Sequence, residues 1–246
     1  MALYHLKEEG KGMGNNENSW KLKDPWGSKE FILLLLLEFI FVIGFLKGVI
    51  SPIYSQWLNN DLYAGTLMGL TIAIILITGV YIVALHPQAL SWSEIGIKRF
   101  NMSDWKIIIG YSVILLVGAV IIVILTSFIG NTWENSKTES LQQNLTFLTV
   151  FIAFVSAAVI SPIYEELFYR GFLYRWLRTR IGFYGAIVIS STIFTIVHIP
   201  AYNVMPVNFF SGIIFALAYE RTNSIWPSVL IHGITNGIMV LLTSLG

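Results

Sequence analysis

Residues Phe147 to Arg170 read FLTVFIAFVSAAVISPIYEELFYR, an apolar run whose only ionisable side chain before Glu165 is the Tyr164 phenol. It closes on Glu165, Glu166 and Arg170. About 20 apolar residues are what an α-helix needs to cross the hydrocarbon core of a bilayer. Charged side chains at the centre of such a helix cost about 2.5–3.5 kcal/mol each on insertion scales. A sequence that keeps three of them within six positions has a use for them. Two histidines in later apolar segments, His198 and His232, point to chemistry as that use.

The rest of the composition agrees. Of 246 residues, 55% are hydrophobic and 12% charged, and mean hydropathy is +0.70. A soluble domain carries about 25% charged residues, so the chain reads as an all-α, polytopic transmembrane bundle rather than a set of soluble domains. A net charge of +1 gives no electrostatic case for nucleic acid. Cysteine is absent, which removes disulfides, thiolate nucleophiles and zinc–thiolate sites. Catalysis must then use Glu, His, Ser, Tyr, or a metal held by nitrogen and oxygen.

Working outward, apolar windows fall at roughly 31–50, 64–85, 107–129, 147–169, 183–198, 207–219 and 226–245. Seven or eight spans follow, the fifth and sixth of them short. Residues 1–30 read as a polar cytoplasmic tail without a secretory signal, touching the membrane surface at Trp20 and Trp26. The connector 86–106, with Trp92 and Trp105, reads as interfacial, and 130–146 as an extramembrane loop. Placing the N-terminus inside puts 13 of the 15 Lys and Arg residues on the cytoplasmic side; only Lys47 and Lys137 fall outside. No internal repeat is visible, which counts against a transporter built from inverted halves.

Helix geometry divides the charged residues. Successive residues point about 100° apart, so Glu165 and Glu166 are expected to face different grooves. Glu166 and Arg170, four apart, can pair on one face, which leaves Glu165 available for proton transfer. The plainer reading is a juxtamembrane cluster with arginines reaching the headgroups, and it suffices for Arg175, Arg178 and Arg180. Pro162 removes a backbone hydrogen bond and frees a carbonyl near Ala158, a break that a bilayer tolerates where it lines a hydrated cavity. His232 and Asn236, four apart, share a face of the last span. Alone, His198 or the His232–Asn236 pair is inter-helix glue as readily as machinery; the three signals in order, Glu-Glu-x-x-x-Arg, Phe-x-x-x-His and His-x-x-x-Asn, are specific.

With those motifs the chain resembles the CPBP family (CAAX protease and bacteriocin-processing, or Abi) of intramembrane proteases. The motifs are matched at Glu165, Glu166 and Arg170, at Phe194 and His198, and at His232 and Asn236, with Trp92-Ser-Glu-Ile-Gly96 resembling the usual lead-in. The likeness covers about residues 90–245, which it implies to be the protease core within a bundle over 31–245. It implies a catalytic set of Glu165, His198, His232 and Asn236: Glu165 and His198 activate a water, and His232 and Asn236 stabilise the oxyanion. Glu166 and Arg170 hold the geometry. It also implies a peptide or membrane-protein substrate, with no cofactor in the glutamate-dependent version; the Ile- and Leu-rich composition without cysteine suggests a bacterial cell-membrane setting. The competing version puts one zinc on Glu165, His198 and His232. A catalytically silent scaffold or immunity protein that binds a peptide is the alternative from another class.

One difficulty concerns depth. Counted at about 1.5 Å per residue, His232 lies about 8 Å and His198 about 23 Å along their spans, while Glu165 is near the inner end of its own. The depths meet only if helix four runs on past Arg170 and the short fifth and sixth spans form a hairpin that keeps the segment 198–206 over the pocket.

Overall fold

The computed structural model describes residues 19–128, 136–143 and 145–245; the first eighteen residues of the expected tail and part of the expected loop 130–146 lie outside them. Among the described residues six candidate spans are long and apolar enough to cross a membrane, and every regular element is a helix or turn. We number the helices α1 (Ser28–Leu58), α2 (Asp61–Gln88), α3 (Met102–Ser127), α4 (Ser136–Gln142), α5 (147–181), α6 (183–196), α7 (Tyr202–Thr222) and α8 (Ile225–Leu245). Helices α5 and α6 together make the fourth candidate, 50 residues long, which the backbone divides at Gly182. The chain is a multi-pass membrane protein. The count is roughly the expected seven, because the two arms of that candidate stand for two of the expected spans.

That residue is Gly182, with φ 74° and ψ −174°. This region of backbone space is essentially restricted to glycine. The chain reverses there, and α6 folds back along α5: the Tyr169 ring meets Phe194 edge-on at 5.3 Å, and the Arg170 guanidinium lies 4.5 Å from the same ring. The depth difficulty disappears. Glu165 is 17 positions before the pivot and His198 16 positions after it, so at 1.5 Å per residue both stand about 25 Å from the turn. Helix α5 does continue past Arg170.

Small residues set the packing around this hairpin, as in membranes generally. A Cβ at Gly212 of α7 would lie 2.9 Å from that of Ser191, and a Cβ at Gly118 of α3 would lie 2.3 Å from the Phe210 ring. The connector 86–106 is largely exposed and is anchored to the bundle at one point: Ile95 is fully buried, Gly171 packs directly on its carbonyl, and Glu94 pairs with Arg175. The end of the expected tail is likewise built in. Trp20 and Trp26 are buried, the Trp26 indole donates to the Ala84 carbonyl at 2.7 Å, and Arg180 pairs with Asp24 at 2.6 Å. After α3 the expected loop contains α4, whose Leu141 is buried.

Candidate active site

The site is built where α5, α6 and α8 cross. Two π-wound stretches, Ser156–Ile160 and Leu167–Tyr174, flank Pro162; such bulges free carbonyls and re-aim side chains, and are frequent at functional sites. Helix α8 comes close against the first. A Cβ at Gly233 would lie 2.4 Å from the Ala158 carbonyl oxygen, and the Asn236 amide donates to the Ala157 carbonyl at 3.0 Å. The backbone opened before Pro162 is therefore sealed by α8, which seats His232 beside the glutamates.

His232 corrects the division of labour drawn from helix geometry. Its Nδ1 is 2.9 Å from Glu166 Oε1, and its Nε2 is 3.9 Å from Glu165 Oε2. The carboxylates leave α5 in different directions and reach opposite sides of one imidazole. They do share a groove. Glu166 also does more than pair with Arg170: Arg170 Nη1 donates to its Oε1 at 3.2 Å, and the same oxygen holds His232. A carboxylate only accepts, so Nδ1 of His232 carries a hydrogen. Arg170 is buried, donates to the Gly212 carbonyl at 3.2 Å, and lies between the rings of Phe194 and Phe215 at 4.5 and 5.1 Å. Glu166 is 0% exposed, whereas the side chain of Glu165 keeps 13%; the second carboxylate is the one open to a reactant.

Phe194 gathers the rest. Its ring lies 4.9 Å from that of His198 and 6.1 Å from that of His232, while Phe215 stacks on His232 at 4.5 Å. His198 Nδ1 is 2.7 Å from the Phe194 carbonyl. A carbonyl only accepts, so His198 donates through Nδ1. The fold thus brings Glu165, Glu166, Arg170 and His232 into one connected cluster. His198 lies on its Phe194 wall, and Asn236 one turn along α8. Among the described residues no group of three or more His, Asp or Glu side chains is placed to hold one ion.

Two polar residues at this level escaped the reading of the sequence. Glu38 of α1 is 3% exposed and accepts from the Tyr169 hydroxyl at 2.9 Å. Lys47 donates to the Val197 carbonyl at 2.8 Å. Both sit in a 31–50 window taken only as apolar, although an ionisable residue inside a span is a functional candidate by default.

A polytopic helical bundle with a histidine held between two glutamates, close to a second histidine and an asparagine, has the build of an intramembrane protease. The model of the type II CAAX prenyl endopeptidase Rce1-like family matches residues 147–238 of the chain. Among relatives, the membrane-embedded CAAX protease MroQ of Staphylococcus aureus (strain USA300) is 27% identical over 180 residues, 70% of this chain and 71% of its own. YdiL of Bacillus subtilis (strain 168) is 28% identical over 109 residues, 44% and 43% of the two chains. The UPF0177 protein YaiH of Lactococcus lactis subsp. lactis (strain IL1403) is 24% identical over 154 residues, 59% and 62%. No solved structure matches the chain. The relatives place it in a bacterial membrane.

Proposed function

We propose that the chain is an intramembrane endopeptidase in which Glu165 is the general base for a water that attacks the scissile carbonyl. The observation that carries this is the single imidazole between two unequal carboxylates, Glu166 at 2.9 Å and Glu165 at 3.9 Å. In this reading His232 enters as the imidazolium, with Nδ1–H on Glu166 and Nε2 toward Glu165, and Glu165 enters as the carboxylate. Glu165 accepts a proton from water as the hydroxide oxygen bonds to the carbonyl carbon; the tetrahedral oxygen takes hydrogen bonds from protonated His232 and from the second amide N–H of Asn236. His198, with Nε2 as acceptor, orients the water, then relays the proton to the leaving nitrogen as the peptide bond breaks. Glu166 fixes the His232 ring, and Arg170 fixes Glu166.

The family description and the name of MroQ suggest CAAX-type processing as one class to try; the resemblance carried by the three motifs adds bacteriocin-type processing as the other. The distribution of Lys and Arg supports a pocket open toward the cytoplasm, where a polar backbone can approach. The test uses proteoliposomes carrying the full chain, an internally quenched prenylated CAAX peptide, and a total peptide extract of bacterial membranes. Wild type is expected to cleave peptides that accumulate intact with Glu165→Gln. Identical peptide profiles from both would leave the silent scaffold as the reading. Loss of the wild-type rate on adding a chelator would assign the metal version instead.

A further inference from the structure

Span α1 lies outside the segment that the family model matches, yet it carries two charged side chains to the level of the site. Its central stretch, Leu37–Ile50, is π-wound. Its buried positions fall four apart, at Glu38, Val42 and Leu46, and Lys47 stands beside Leu46 at the edge of that face. On an α-helix, at about 100° per residue, nine residues would set Glu38 and Lys47 on opposite faces, so sequence periodicity read as α hides the pair.

We propose that Glu38 and Lys47 are positioning residues for His198, completing the reaction centre from α1; the proposal rests on the protease reading above. Lys47 donates to the carbonyl of Val197, the C-terminal cap of α6 and the residue before His198. The last carbonyls of a helix lack intrahelical partners and carry its negative pole, so an ammonium there pins the end of the helix. Glu38 accepts from Tyr169, whose ring bears edge-on upon Phe194, the ring that touches both histidines and Arg170. One residue holds the backbone next to His198 and the other holds its aromatic wall. The two are coupled: Glu38 lies within electrostatic reach of Lys47 and of Glu165. Its second carboxylate oxygen is buried without a hydrogen-bond partner. A carboxylate kept at that cost inside a span, where a leucine would insert freely, is retained for the site it faces.

The experiment measures kcat, KM and thermal unfolding in detergent for the full chain, with an internally quenched peptide that wild type cleaves and Glu165→Gln does not. Glu38→Ala and Lys47→Met are expected to lower kcat by at least about tenfold with KM changed less than about twofold, the mark of a displaced group rather than a lost binding contact. Glu38→Gln keeps an acceptor for Tyr169, and Lys47→Arg keeps a cation for Val197; each should recover most of that loss. Tyr169→Phe removes only a hydroxyl and gives the reading if the alanine variant does not fold. Wild-type kcat in the folded Glu38→Ala, Lys47→Met or Tyr169→Phe proteins would overturn the proposal. So would a loss confined to KM, or Gln and Arg variants no better than Ala and Met at equal melting temperature. Failure of the protease reading is a different result: no peptide separates wild type from Glu165→Gln.

Discussion

Helices α3 and α5 cross the same bilayer on opposite terms. From Ile107 to Ser127, α3 has no charged residue, and Ile109, Val113, Val117, Val120, Ile121, Ile124 and Leu125 are exposed on its outer surface to lipid. Helix α5 spends its second half on Glu165, Glu166 and Arg170, winds as a π-helix on either side of them, and is buried almost without gap from Glu166 to Arg175. One helix needs only to be apolar; the other must satisfy each polar group from within the protein, because hydrocarbon offers no partner. The difference predicts where substitutions register. Chemistry and stability are concentrated along α5 and the helices that seal it, and α3 is a wall.

The largest effect is expected at Glu165. Glu165→Gln retains size and burial while removing the proposed base, and general-base catalysis contributes about 10²–10⁴ in rate. Turnover of the quenched peptide should fall by that factor with unchanged thermal unfolding. A Glu165→Gln enzyme within tenfold of wild type would break the contrast, since α5 would then hold its charges for structure alone.

Next stands the buried pair. Glu166→Ala leaves the Arg170 guanidinium without its carboxylate and the His232 Nδ1–H without its acceptor. Removing one partner of a buried ion pair costs about 3–5 kcal/mol. Unfolding by denaturant in mixed micelles should show a loss of that size for Glu166→Ala and for Arg170→Ala. The double variant should lose less than the two single losses added, because each single change strands the other charge.

How far the sequence revealed this site follows the same division. Hydropathy located the spans, and the spacing of Glu165, Glu166, Arg170, His198, His232 and Asn236 located the polar centre, because charges in an apolar window are conspicuous. Three things were not legible. Gly182 looks like any helix-end glycine until its positive φ shows that α5 and α6 are the arms of one hairpin; only then do Glu165 and His198 reach the same depth. The facing of Glu165 and Glu166 depended on a partner from α8, and a helical wheel of α5 alone cannot show one imidazole meeting both. Glu38 and Lys47 were hidden by the assumption of 3.6 residues per turn where the backbone winds wider.

A smaller effect tests the seal between α8 and α5. Gly233→Ala would bring a methyl to 2.4 Å from the Ala158 carbonyl, and overpacking of this kind costs about 1–3 kcal/mol. His232 is the adjacent residue, so the rate should fall more than the stability loss alone explains. Peptide turnover measured below the unfolding transition, where nearly all the protein is folded, should still be reduced. A change in stability with full turnover would mean that the close approach holds the helices together without setting the imidazole.

The smallest effect belongs to the other side of the comparison. Val120 and Ile121 are exposed on α3 by 59% and 50%, and in a bilayer those surfaces meet lipid tails as apolar as themselves. Val120→Leu or Ile121→Leu changes neither a packed contact nor a polar partner. Each should move stability by less than about 0.5 kcal/mol, the range of surface substitutions away from special features, and leave turnover at the wild-type value. In α5, Ile163→Val removes a methylene from a half-buried side chain packed against the core, for which about 0.5–1.5 kcal/mol is expected. If the α3 exchanges cost as much as the α5 exchange, α3 is covered by protein rather than lipid, and its apolar face is an interface between copies of the chain; cross-linking through cysteines placed at 117 and 124 would then trap a dimer.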